Sequence, residues 1–98
     1  MNITVEKNGN MLEMAVSGRV DTTTAPELEK KIMDNIDGIT ELIFDFKDLS
    51  YTSSAGLRVI LKAQKQMNKQ GEMKIRNVTD EVMDIFDVTG FSDILTFE

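Results

Sequence analysis

The 98-residue sequence predicts an α/β fold, a mixed β-sheet opened by an N-terminal hairpin and continued by alternating helices and strands. Two observations carry this. Near the N-terminus the apolar residues fall at every second position, Ile3 and Val5 and then Leu12, Met14 and Val16. After that the spacing changes to three and four in three separate stretches, each followed by a glycine, with short apolar runs between them.

Asn8-Gly9-Asn10 supplies turn chemistry between the first two alternating runs, so these form a β-hairpin ending near Ser17-Gly18. In "DTTTAPELEKKIMDNIDG", Thr24 and Glu27 stand at capping-box spacing and Pro26 falls in the first turn, where a missing N–H costs little. Leu28, Ile32 and Ile36 make one stripe, closed by Gly38. "ELIFDF" places Leu42, Phe44 and Phe46 on one face and Ile43 on the other, the pattern of an interior strand flanked by helices. Lys47-Asp48-Leu49 then leads into "YTSSAGLRVIL", where Leu57, Ile60, Leu61 and Met67 trace a second helical stripe as far as Gly71. Arg58, Lys62, Lys65 and Lys69 lie outward. Met73 and Ile75 of "EMKIRNV" alternate, completing a strand, helix, strand unit whose strands should be parallel. Thr79 or Asp80 caps a third helix with Val82, Ile85 and Phe86 inward and Gly90 as its stop. "FSDILTFE" closes the chain as a short turn and an edge strand.

Composition removes several classes of function. With no cysteine there are no disulfides, thiolate metal sites or thiol nucleophiles, which fits a reducing cytoplasm. With no histidine, neither Ser53 nor Ser54 can belong to a Ser-His-Asp triad, and no imidazole serves metal binding or near-neutral proton transfer. Thr52 stands where a nucleophile elbow would need its first glycine, and neither a P-loop nor a dinucleotide turn is present. A net charge of −6 argues against a nucleic-acid partner. The apolar runs are far shorter than the roughly 20 residues that cross a bilayer, and no basic-then-apolar leader begins the chain, so a soluble, unexported domain is expected. Asp45, Asp48, Asp80, Glu81, Asp84 and Asp87 read as solvated turn and helix-face residues rather than a metal site. No enzyme, metal or cofactor is expected.

The helix entrance at Ser53-Ser54-Ala55-Gly56 asks for an explanation. Free N–H groups and partial positive charge gather at a helix start, which suits an anion. Ser54 is well placed as the cap, and a phosphate on its oxygen would add roughly −1.5 to −2 charges where they can be held. Gly56 costs about 0.5–1 kcal/mol relative to alanine in a helix, which suggests that close approach matters there. Two readings stay open: an ordinary serine cap, or a hydroxyl displayed for modification between small neighbours.

"DLSYTSSAGLRVIL" resembles the signature of the STAS-domain anti-sigma-factor antagonists, and the resemblance runs the full chain. "SGRVDTTTAPELEKKI" is similar to the family's Gly-x-x-Asp loop and first helix, and "FDVTGFSDILTFE" to its C-terminal end. The resemblance implies a single STAS-like domain over residues 1–98. It further implies a partner, an anti-sigma-factor serine kinase of the histidine-kinase-like ATPase fold. The unphosphorylated antagonist captures that kinase and frees the sigma factor, phosphorylation of one serine ends the capture, and a serine phosphatase restores it. By this match Ser54 is the acceptor, followed by the family's Gly-Leu at Gly56 and Leu57. Many members carry Asp where this chain has Ser53, which makes Ser53 the second candidate. Asp21 matches the acidic residue of the loop before the first helix. The implied partner surface is Asp21, Thr52, Ser53, Ser54, Ala55, Gly56 and Arg58. Arg58 follows Ser54 by four residues, so it rises on the same side of the helix within reach of a phosphate, unless it merely begins the outward basic stripe. The rival class is a STAS module with another task, such as a scaffold, a lipid-transport accessory or an anion- or nucleotide-sensing domain.

Overall fold

A computed structural model describes all residues from Met1 to Glu98. Strands β1 (Asn2–Asn8) and β2 (Met11–Val20) are followed by α1 (Ala25–Asn35), β3 (Glu41–Asp45), β4 (Leu49–Thr52), α2 (Ser54–Gln70), β5 (Glu72–Arg76) and α3 (Asp80–Thr89). A 3₁₀ turn at Phe91–Asp93 leads to the end of the chain. The first two strands pair antiparallel with Asn8 opposite Met11, so Gly9-Asn10 is the hairpin loop. β2 pairs parallel with β3, and β3 parallel with β5, giving the order β1-β2-β3-β5. The hairpin and the parallel pairing are as the patterning predicts.

β4 was not foreseen. Its four residues pair parallel with the last part of β2, beyond an irregularity in register between Gly18 and Arg19. Leu49 and Thr52 turn inward and Ser50 and Tyr51 outward, an order broken by that irregularity and without the period-two signal that would set a strand apart from a loop. β2 is therefore long enough to serve two parallel neighbours, β3 along its first half and β4 at its end.

The core lies on one face of the sheet. Leu12, Met14 and Val16 of β2, Leu42 and Phe44 of β3 with Phe46 just beyond it, and Met73 and Ile75 of β5 are all buried against the three helices. Leu28 and Ile32 come from α1, Leu57, Ile60, Ala63 and Met67 from α2, and Val82 and Phe86 from α3. Phe44, Phe46 and Phe86 form a chain of rings with centroids 5.4 and 6.5 Å apart. Leu61 and Ile85, expected inside, sit half-buried at the edges of their stripes, while Val59 and Gln64 complete the buried side of α2.

The expectation that helices flank β3 on both faces is corrected. Ile43 is buried but belongs to no part of the main core. It stands in a cross-strand row between Glu13 and Lys74, and the Arg76 guanidinium pairs with Glu13 and with Asp45 in the adjoining row. Charged side chains of neighbouring strands, not a helix, keep water from Ile43. The topology explains this: the crossovers β2-α1-β3 and β3-α2-β5 advance in the same direction across the sheet. Right-handed crossovers that advance together deliver their helices to the same side.

α2 ends where the chain has no room for a side chain. A Cβ on Gly71 would lie 2.0 Å from the carbonyl oxygen of Thr40, although its φ of 171° is ordinary extended backbone. Gln70 fastens this end by donating its amide to the carbonyls of Ile36 (2.8 Å) and Ile39 (2.6 Å). The expected C-terminal edge strand reduces to one parallel bridge, Phe97 with Ile75. Ile75 N donates to Thr96 O and Glu98 N to Ile75 O, both at 2.9 Å.

Candidate functional site

The site is assembled by the last residues of β2 and β4. Val20 pairs with Thr52, and one residue on, the Ser53 N–H donates to the Val20 carbonyl at 2.8 Å. The start of α2 thus lies beside the exit of β2, where Asp21 opens the loop to α1. Residues separated by some thirty positions in the chain meet there because two parallel strands end level.

Ser53, not Ser54, is the cap of α2, which corrects the expectation. Ser53 has an extended backbone (φ −84°, ψ 177°), and its Oγ accepts from the N–H of Gly56 at 3.4 Å. Its carbonyl takes the first helical bond, from Leu57 N at 2.9 Å. A cap residue must be non-helical while its carbonyl already accepts. Pairing with Val20 holds Ser53 in that state and leaves Ser54 as the first helical residue.

Ser54 is exposed, and its hydroxyl has no hydrogen-bond partner in the protein. The amides of Ser54 and Ala55 also find no acceptor, since the only bonds at this entrance are those of Ser53, Gly56 and Leu57. Beneath them the helix is pressed onto the strands. A Cβ at Gly56 would come within 2.2 Å of Thr52 Oγ1 and 2.8 Å of Val20 Cγ1. Thr52 is 2% exposed and donates its hydroxyl to the Ser53 carbonyl at 3.2 Å. Thr52 and Gly56 therefore seat the entrance rather than present a surface.

Asp21 organises the start of α1. Its Oδ1 accepts from Thr23 N (2.9 Å), Thr23 Oγ1 (2.7 Å) and Thr24 N (3.1 Å). The hydrogen bond from the Thr23 hydroxyl, followed by those of the Thr24 and Thr23 amides, lowers the Asp21 pKa below its ordinary 3.8. The Thr24–Glu27 capping box does not form. Thr24 has helical dihedrals and makes no side-chain cap bond; its Oγ1 accepts instead from Asp21 N at 2.9 Å. Once Asp21 binds the open amides, the helix start is already served.

Arg58 is exposed on the next turn of α2, and no carboxylate lies within ion-pair distance of it. Together with Ala55 and Val59 it lines a shallow groove against Thr22, Ala25 and Pro26 of the α1 entrance. Glu29, which also borders this groove, is engaged by Lys62 at 3.4 Å. Two further residues frame the site and were not anticipated. The Arg19 guanidinium lies 4.4 Å from the centroid of the Tyr51 ring, directly across the β2–β4 pair. Without β4 in view, nothing in the sequence relates those two positions.

No group of three or more Asp, Glu, His or Cys side chains is gathered as a metal site, and no helix is long and apolar enough to cross a membrane. The STAS domain family model matches residues 2–98. The chain belongs to the STAS domain family. An anti-sigma-B factor antagonist of Bacillus subtilis is 32% identical over 96 residues, an alignment that takes in 97% of this chain and 88% of that protein. The protein of the same name in Staphylococcus aureus is 29% identical over 97% of this chain and 90% of its own. An anti-sigma factor antagonist from Mycobacterium paratuberculosis superposes with a TM-score of 0.88 at 22% identity, over 98% of this chain and 83% of its own. SpoIIAA in its unphosphorylated form superposes at 0.85 and 19% identity, over 99% and 88%. The STAS resemblance and its α/β architecture are borne out.

Proposed function

We propose that this STAS domain is an anti-sigma factor antagonist that is switched by phosphorylation of Ser54. The observation that carries the reading is the difference between two adjacent serines: Ser53 spends its hydroxyl on the cap, whereas Ser54 offers an exposed, unbonded hydroxyl beside two open amides. The names of the B. subtilis and S. aureus relatives support the task. A structure of SpoIIAA in a phosphorylated form, which superposes on this chain with a TM-score of 0.77 at 18% identity over 99% of this chain and 91% of its own, supports the type of switch.

In this reading residues 1–98 act as one unit in the cytoplasm, with no catalysis, cofactor, nucleic acid or membrane of their own. The unmodified domain docks an anti-sigma-factor serine kinase through Ser53, Ser54, Ala55 and Arg58, with Asp21 alongside and Thr52 and Gly56 shaping the backbone beneath. The kinase then releases its sigma factor. Transfer of phosphate to Ser54 places roughly −1.5 to −2 charges in an interface fitted to a neutral hydroxyl. A mismatch of about 3–4 kcal/mol weakens binding on the order of a hundred- to a thousandfold, and needs no refolding. A serine phosphatase removes the phosphate and resets the switch.

The test is calorimetry against purified anti-sigma-factor serine kinases of the histidine-kinase-like ATPase fold from the same organism. Ser54→Ala should bind as tightly as the unmodified chain and stay bound in the presence of ATP, and Ser54→Asp should bind on the order of a hundredfold more weakly. Equal affinity of the two variants overturns the proposal.

A further inference from the structure

Three features of α2 converge on one side chain. The Cα–Cβ bonds of a helix tilt toward its N-terminus, so a long residue four positions on leans back over the first turn. Arg58 holds that position relative to Ser54. Its guanidinium has no carboxylate within ion-pair distance, whereas Lys62 one turn on is held by Glu29 at 3.4 Å and Arg19 lies over the Tyr51 ring. The first turn itself leaves the amides of Ser54 and Ala55 open. In the unmodified chain water satisfies the exposed guanidinium and amides, and both can donate to an anion placed among them; the acidic groups nearby are otherwise occupied. Asp21 is bound by Thr23 and Thr24, and Glu29 by Lys62.

We propose that Arg58 is the residue that receives the phosphate carried by Ser54, with the guanidinium on one side of the group and the amides of Ser54 and Ala55 on the other. This rests on Ser54 being the acceptor. Its role is to stabilise the modified, released state by pairing the phosphate with a cation of the same helix. An arginine fork suits this better than a lysine, because it can meet two phosphate oxygens at once.

The experiment installs phosphoserine at position 54 of the full chain by genetic encoding, so that no kinase is required. Phosphorus NMR then follows the second ionisation of the phosphate, ordinarily near pH 6. Two backgrounds are compared with the parent: Arg58→Ala, and Lys62→Ala one further turn along. Arg58→Ala should raise the phosphate pKa by about one unit, a tenfold gain in proton affinity, and should lower the melting temperature of the phosphorylated form while leaving that of the unmodified form unchanged. Lys62→Ala should do neither. Identical titrations for the parent and Arg58→Ala, or equal shifts for the two variants, overturn the proposal. Because the phosphate is encoded, this result is independent of whether any kinase modifies Ser54, and failure of phosphoryl transfer would count against the switch alone.

Discussion

The N–H of Ser53 and the carbonyl of Val20 are joined at 2.8 Å, and this bond sets the geometry on which the site depends. It ends β4 level with β2, keeps Ser53 extended so that it caps α2, and brings Asp21 to the same edge as Ser54. The hydroxyl that a cap would consume is moved one residue back, and the next hydroxyl is left facing solvent.

Gly56 is the residue of the α2 entrance least able to change. Alanine would favour the helix by about 0.5–1 kcal/mol, but its methyl would meet Thr52 Oγ1 at 2.2 Å and Val20 Cγ1 at 2.8 Å, and both of those residues are buried. Overpacking of this kind costs about 1–3 kcal/mol and should win. Urea unfolding of Gly56→Ala should show a net loss of stability, partly recovered when Thr52→Ala is added. A more stable Gly56→Ala would mean that α2 is not pressed against the strands as described.

The two serines should separate cleanly. Ser53→Ala removes the acceptor for Gly56 N, and with a bond as long as 3.4 Å the loss belongs at the lower end of the usual range for caps, about 0.5–1 kcal/mol. Ser54→Ala removes no bond and should stay within about 0.5 kcal/mol of the parent. Intact-mass analysis after incubation with kinase and ATP should show the opposite order: Ser53→Ala still gains a phosphate, and Ser54→Ala does not.

Much of this was legible in the sequence, and what was not has specific causes. The periodicities of Leu12-Met14-Val16, Leu42-Phe44-Phe46 and Leu57-Ile60-Met67 identify the core because burial on one face admits few other patterns. β4 stayed hidden because Leu-Ser-Tyr-Thr owes its strand character to its partner β2, not to any preference of its own. The cap was displaced by one residue for the same reason, since two adjacent hydroxyls differ only in which of them the strand holds extended. Ile43 misled because an interior strand reads alike whether a helix or a row of charged side chains covers its second face.

Asp21 links stability to pH. Its pKa is lowered in the folded chain by the Thr23 hydroxyl and the Thr23 and Thr24 amides, so folding favours the ionised form. That contribution is present above the ordinary 3.8 and is lost as pH falls through the lower folded value. Asp21→Ala should therefore melt below the parent at neutral pH, with the gap narrowing as pH drops from about 5 toward about 2. A constant gap in melting scans across that range would show that the carboxylate charge plays no part.

Thr79 offers the last test, because its hydroxyl joins α3 to β4. Oγ1 accepts from Val82 N at 3.3 Å as the helix cap and donates to the Leu49 carbonyl at 3.2 Å, at the first residue of β4. Thr79→Ala loses both bonds and should cost about 1–2 kcal/mol, whereas Thr79→Ser keeps both and should stay close to the parent. The two losses also differ in place. Releasing Leu49 loosens the strand that carries Thr52 and Ser53 to Val20, so in Thr79→Ala the amide of Ser53 should exchange with solvent faster than in Thr79→Ser. If hydrogen exchange at Ser53 is the same in both variants, α3 has no hold on the entrance of α2, and the position of Ser54 depends on β2 alone.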